Sequence, residues 1–383
     1  MSRSPACDVA IVGAGIIGLS IAFHLLEDEP APPSIVLIDR AGVGEGASGV
    51  QPGGVRQQWS SRVNCQLARE SLASYLNIGE RLSSSASLNF EPCGYMFLAH
   101  SDTRLNRLVA DVIVQNHAGV PSEILTPSQA VERVPDMQVD SIVGAAWCQE
   151  DGYFDRPQAV VAAFAEASVR LGAEIKLAEV ASLDRDGAGW RLPLSGGEVL
   201  RAERVVVATG YETPGLLAPL GIEVPITGEP RYLFLSQPIR ERLLDPLVVS
   251  GEHSFAAKQL ANGRVLASDT AASGDPNEVA SAWRGTIRAR IEELLPRLIY
   301  VSFPILVEGH YDTTPDHQPI VSEVLSGLWI AAGFSGHGFM LAPAIGRRVA
   351  ARLAGADTDE LLDWFATQRF DAPSTFTETD WVV

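Results

Sequence analysis

The sequence predicts an α/β fold in two parts. One is a Rossmann-like, dinucleotide-binding domain that the chain leaves and re-enters, and the other is an α+β domain built on a mostly antiparallel sheet. Three observations carry this. An apolar run at residues 8–12 meets the glycines of Val12-Gly-Ala-Gly-Ile-Ile-Gly18 just before a helical pattern. A second buried run ends in Ala208-Thr209-Gly210, and a third, at 328–332, meets Gly333-Phe-Ser-Gly-His-Gly338 ahead of another helix. The stretches between them have a different, strand-rich texture.

Taken in order, residues 8–12 are short and β-branched enough for a buried parallel strand. Ile16, Leu19, Phe23 and Leu26 then recur at helical spacing. Gly13 permits the tight turn, Gly15 lets the backbone approach a pyrophosphate, and Gly18 lets helix and strand pack closely, with Ala14 and Ile17 completing the loop. Free N–H groups and the helix dipole make this an anion site. The run 35–38 ends in Asp39, 21 residues after Gly18, where an acid meets a ribose hydroxyl; Arg40, next to it, is expected to bind the cofactor too. A glycine-rich segment at 41–54 should lie against the ligand. Residues 66–82 read as a helix and 90–99 as strand-like, opening a second domain that runs to about residue 147. From Arg156 the positions Val160, Phe164, Ala167 and Leu171 mark a helix, followed by an alternating strand and hairpin over 173–192 and the buried run to Gly210. Residues 225–236, 248–256 and 264–268 read as strands of a broad sheet and 276–295 as a helix. A last helix is expected over 342–353. The dinucleotide domain is thus expected at 1–85, 148–220 and 305–383, and the second domain at 86–147 and 221–304.

Composition narrows the class. With 46% hydrophobic and 20% charged residues the chain reads as an ordinary globular protein. A formal charge of −18, spread along the chain, argues against nucleic acid or anionic lipid as partner. Neither a signal peptide nor a membrane-length apolar segment is visible, so a cytoplasmic location is expected. Cys7, Cys65, Cys93 and Cys148 show no metal-like spacing; reduced thiols and no metal site are expected.

A second glycine-rich strand-to-helix turn near the C-terminus exceeds what a nicotinamide cofactor requires. FAD gives it a use, because a flavin's pyrimidine edge gains negative charge on reduction and a helix N-terminus aimed there stabilises it. The segments "DVAIVGAGIIGLSIAFHLL", "VLIDR", "ATG", "YDTTPDHQPIV" and "GLWIAAGFSGHGFMLAPAIG", in this order, resemble the D-amino acid oxidase superfamily of FAD-dependent oxidoreductases. Within it the chain is similar to sarcosine oxidases, glycine oxidases and the β subunits of dye-linked L-proline dehydrogenases. The resemblance implies oxidation of a carbon–nitrogen bond in an amino acid or secondary amine by hydride transfer to flavin N5, giving an imine, with the substrate between flavin and second sheet. It implies that Gly13, Gly15 and Gly18 hold the pyrophosphate, Asp39 the ribose, and Ser48, Gly53 and Gly54 the diphosphate and flavin side. Val180, on the strand after the Arg156 helix, would contact adenine; Gly210 would pass close to the cofactor; and Gly336, His337, Gly338, Phe339 and Met340 would line the pyrimidine end.

Departures from that pattern matter too. The cysteine that tethers flavin in monomeric sarcosine oxidases falls on Gly309, so FAD is expected without a covalent bond. The family's carboxylate-binding arginine is missing from Gly309-His310-Tyr311-Asp312, which leaves Arg56 and Arg231 as replacement anchors. The alternative is an aromatic pocket of Tyr311, His310 and Trp59, suited to an amine without a carboxylate. His337, in its glycine-rich turn, acts by side chain or by backbone N–H alone. His310 and Asp312 are the candidate bases, a turn cap being the alternative for Asp312. Relatives carry lysines where Met340 and, less directly, Val265 stand here, which favours a dehydrogenase over an oxidase unless Lys258, a hairpin pair away, takes the place. Two further readings stay open. One is a tailoring flavin oxidase or monooxygenase of a larger metabolite; the other is an FAD-bearing electron-transfer subunit, for which a partner subunit or homo-oligomer is compatible.

Overall fold

A computed structural model describes residues 6–27, 29–371 and 378. The first sheet is parallel at its centre. Strand Ala6–Val12 lies between Val199–Val207 and Ile35–Asp39, with Glu174–Leu177 beyond the latter and Leu328–Ala332 pairing the end of Val199–Val207. The segments 9–12, 35–38 and 205–207 of its central strands are unbroken runs of Val, Ile, Leu and Ala, as burial on both faces requires. One face packs helices Ile16–Leu26, Pro157–Arg170 and Gly338–Leu353. The hairpin Asp184–Asp186 and Gly189–Pro193 extends the sheet antiparallel from the start of Val199–Val207, and its Trp190 and Leu192 pack with the short helix Thr213–Leu217 on the other face.

The second sheet has eight strands, antiparallel except where Leu247–Ser250 runs alongside Tyr95–Ala99. Helix Pro276–Leu294 covers one face through Trp283, Ile287 and Ile291. Helix Asp102–His117 covers part of the opposite face, to which Tyr95, Phe97 and Ala256 belong. The remainder of that face looks toward the first domain.

Four expectations shift. Residues 248–256 are two strands, Leu247–Ser250 and Phe255–Gln259, folded back through a turn with Ser254 at φ 50°. The expected return to the first domain at 305 precedes the strand Ile305–Thr313, which pairs along Thr227–Leu235 in the second sheet. The helix expected from residue 66 starts at Arg62, capped by the Ser61 hydroxyl. The last helix starts at Gly338 rather than at 342, with Pro343 inside it. Pro343 has no N–H for the carbonyl of Phe339 one turn back, and the Tyr75 hydroxyl donates to that oxygen at 2.5 Å instead.

Candidate active site

At the nucleotide end the backbone does most of the shaping. Gly13 has φ +111°, and a Cβ there would fall 2.3 Å from the Ala208 carbonyl oxygen, so only glycine lets the two strand ends converge. A Cβ on Gly18 would fall 2.1 Å from the Gly13 oxygen, which brings the helix onto the strand. Helix Ile16–Leu26 follows Gly15, which has no side chain to cap it, and carries no acid in its first turn. That N-terminus, approached across glycines that leave the backbone open, fits a pyrophosphate. Ser48 stands over it, its hydroxyl accepting from the Ile16 N–H at 3.0 Å. Asp39 accepts from the N–H groups of Ala14 at 2.8 Å, Ala41 at 2.9 Å and Gly42 at 3.0 Å. The acid therefore orders the phosphate loop itself. Arg40 pairs with Glu212 at the surface. Val180 lies beyond its expected strand, joined to Leu194 by a single bridge.

Toward the second sheet, side chains take over. Gly53 and Gly54 leave no space for a Cβ: the Phe154 carbonyl oxygen and the Tyr95 hydroxyl lie 2.5 and 2.0 Å from where it would stand. Gly336, at φ +87°, lies against the Tyr311 ring, 2.4 Å from its would-be Cβ. Asp312 accepts from the Gly333 N–H at 2.7 Å through its carboxylate and from the Ser335 N–H at 3.1 Å through its carbonyl, so it caps the glycine-rich turn. Burial pushes its pKa up to about 6. His337 occupies the N-cap position of the last helix, its ring edge-on to Trp59 at 4.5 Å. Phe339 stacks on Tyr75 and Met340 is buried.

Arg56 is the central side chain of this end. Only 1% exposed, it lies 4.1 Å over the Trp59 ring and 5.5 Å over Phe97. Its Nη2 is 3.4 Å from His337 Nε2, and Nη1 donates to the Gln58 carbonyl. Arg231 sits 5.0 Å over the opposite part of the wall, the Tyr311 ring, and is bound to Glu229 at 2.7 Å. Arg56, Trp59, Tyr311, Arg231 and His337 therefore converge. His310 does not join them. Adjacent strand residues point to opposite faces, and its ring packs at 5.3 Å against Tyr211, away from Tyr311. The expected His310–Tyr311–Trp59 pocket thus loses one member, and the candidate base His310 with it.

Val265 also falls elsewhere. It packs in the core under helix Pro276–Leu294, whereas Lys258 lies on the site-facing side. Lys258 is buried, donates to the Pro52 carbonyl beside Gly53, and lies 4.2 Å over the Tyr153 ring; burial lowers its pKa to about 7. A hairpin read one pair out of register puts Val265 at the site position. Tyr95, Phe97 and Asp151 are not legible in the sequence at all, because they reach the site only through pairing of distant strands. Among the described residues no three His, Cys, Asp or Glu are placed to hold a metal, and no helix is long and apolar enough to cross a membrane. The four cysteines are free thiols.

Glycine-shaped strand-to-helix turns beside a buried cluster of arginines and aromatics are the arrangement of a flavoprotein oxidoreductase. The family of FAD dependent oxidoreductases called DAO matches residues 8–352; the chain belongs to it, and its cofactor is FAD. It is 26% identical to glycine oxidase of Geobacillus kaustophilus, over 90% of this chain and 92% of that one. It is 28% identical to 4-methylaminobutanoate oxidase (formaldehyde-forming) of Paenarthrobacter nicotinovorans over 89% of its length, and the match spans only 43% of that relative. The crystal structure of L-proline dehydrogenase from P. horikoshii superposes with a TM-score of 0.86 at 25% identity, covering 96% of this chain and 99% of the other.

Proposed function

We propose that the protein oxidises the carbon–nitrogen bond of a small amine or amino acid that carries a carboxylate, giving an imine that water hydrolyses. The observation that carries this is Arg56, a buried guanidinium set among Trp59, Tyr311 and His337 between the glycine-rich turn and the second sheet. A planar fork in a desolvated pocket recognises a carboxylate in two places. Bound FAD supplies the hydride acceptor, held without a covalent bond because Gly309 has no side chain and Val50 fills the space beside it. Gly13, Gly15 and Gly18 with Ser48 hold the pyrophosphate, Asp39 orders the loop for the ribose, and the N-terminus of helix Gly338–Leu353 faces the pyrimidine end. Trp59 and Tyr311 wall the substrate and exclude water, while Arg56 fixes its carboxylate and so orients the carbon to be oxidised. Arg231, already paired to Glu229, borders the pocket rather than anchoring the substrate.

The electron acceptor turns on Lys258. With Val265 facing away, only Met340 still favours a dehydrogenase, and a buried ammonium beside Pro52 favours dioxygen. Relatives of both kinds occur among the matches, an oxidase of glycine and a dehydrogenase of L-proline. Anaerobic mixing of the holoenzyme with glycine, sarcosine, L-proline and 4-methylaminobutanoate tests the substrate class. At least one should bleach the flavin band, while methylamine and dimethylamine should not.

A further inference from the structure

Behind Arg56 lies a buried carboxylate with no part in the scheme above. Asp151 is fully buried between strands Gly144–Cys148 and Gly152–Phe154. One carboxylate oxygen accepts from the Gln57 N–H at 2.8 Å and the other from the Gln58 side-chain amide at 3.0 Å. That same amide nitrogen donates to the Tyr95 carbonyl at 3.2 Å, and the Asp151 carbonyl accepts from the Gly94 N–H at 2.7 Å. The Gln58 carbonyl accepts from Arg56 Nη1. A chain of hydrogen bonds thus runs from the second sheet through Asp151 and Gln58 to the guanidinium.

We propose that Asp151 and Gln58 are positioning residues for carboxylate recognition: Asp151 fixes the backbone at 57–58, and the Gln58 carbonyl then aims Arg56 at the substrate. The inference rests on Arg56 as the carboxylate anchor. A buried carboxylate is costly, and this one is offset by the donors it holds in place, one on each oxygen. The guanidinium has five donors in a fixed plane, so anchoring one of its nitrogens to a held carbonyl sets the direction of the rest. Two effects of removing the Asp151 charge oppose one another. Loss of a negative charge near Arg56 alone would tighten an anion, whereas loss of the anchor would loosen it. Asp151 serves Gln57 and Gln58 with one oxygen each. The side-chain amide introduced by Asp151→Asn has a single oxygen, so its NH2 group must face one of those two donors, and the anchor effect should dominate.

The test uses purified holoenzyme and two probes, acetate and methylamine, followed by perturbation of the flavin absorbance band. Gln58→Met keeps every charge, the side-chain length and the backbone carbonyl while removing the amide; Asp151→Asn is the second variant should the first not fold. Each should keep FAD in the wild-type ratio, raise the acetate dissociation constant by about tenfold or more, and leave methylamine unchanged. A purely structural role would weaken both probes or lose FAD, and contradicts the proposal. Unchanged acetate affinity in both variants, or tighter binding in Asp151→Asn, also overturns it. Arg56→Ala separates the two levels: if acetate still binds it normally, the anchor reading itself fails, whereas if acetate is lost there but not in the other variants, only the positioning inference fails.

Discussion

The two ends of the site are made of different material. The nucleotide end is backbone: Gly13, Gly15 and Gly18 clear space, and a helix N-terminus and the Asp39-ordered loop supply N–H groups. The substrate end is side chain: Arg56, Trp59, Tyr311 and His337 come from distant parts of the chain and meet only in the folded protein. Backbone shape is intolerant of any Cβ but indifferent to which amine is oxidised. Side-chain composition can change with the substrate while the fold stays. On the proposed function, the first end holds the cofactor and the second sets the specificity.

The sharpest way to break this contrast is at Gly13. Gly13→Val drives a branched side chain into the Ala208 carbonyl at a positive φ. The cost is on the order of 3 kcal/mol or more, and the product should be colourless or insoluble. A yellow, stable Gly13→Val protein, judged by its flavin absorbance after gel filtration, would show that the loop is not shaped by backbone contact.

A middle-sized effect is expected at Lys258, on the boundary between the two ends. Its ammonium is charged below about pH 7 and neutral above, so if it promotes electron transfer to dioxygen, reoxidation should slow as pH rises through 7. Lys258→Met should slow it about 10- to 100-fold at pH 6, since each 1.4 kcal/mol is tenfold in rate. Stopped-flow mixing of reduced enzyme with air-saturated buffer measures this. Slow, pH-independent reoxidation equal in both proteins, accelerated by a dye, would identify a dehydrogenase instead.

How much of each end is legible in the sequence follows from the same contrast. The cradle is local: a strand, three glycines at fixed offsets and a helix lie within about twenty residues, so sequence spacing carries it. Arg56 is legible because it directly follows the glycine-rich segment. His310 is misplaced although strand periodicity holds the answer, since neighbours Tyr311 and His310 must point to opposite faces. The same period-2 rule places Glu229 beside Arg231, a pairing that makes Arg231 a wall rather than an anchor. Val265 fails because hairpin register is set by a turn, and a one-residue slip exchanges the two faces. Asp151 carries no local signal; it is 93 residues from Gln58 and meets it only after the sheets form.

The smallest effect belongs to the rim of the nucleotide end. Arg40 and Glu212 form an exposed pair, 54% and 36% accessible. Exposed pairs contribute about 1 kcal/mol or less. Arg40→Ala should therefore change FAD affinity by no more than a few-fold, by fluorescence titration of apoenzyme, and a loss of hundredfold would move Arg40 from the rim into direct contact with the cofactor.

The central claim, that Arg56 reads a substrate carboxylate while the glycine cradle holds FAD independently of it, is tested most directly by anaerobic flavin bleaching in wild type and Arg56→Ala. With the best substrate among glycine, sarcosine, L-proline and 4-methylaminobutanoate, the variant should hold a full complement of FAD yet need roughly 30-fold or more substrate for half-maximal reduction, the loss of about 2 kcal/mol or more expected when a buried ionic contact is cut. Equal half-saturation in the two proteins, or faster bleaching by methylamine than by any carboxylate-bearing amine, would contradict it.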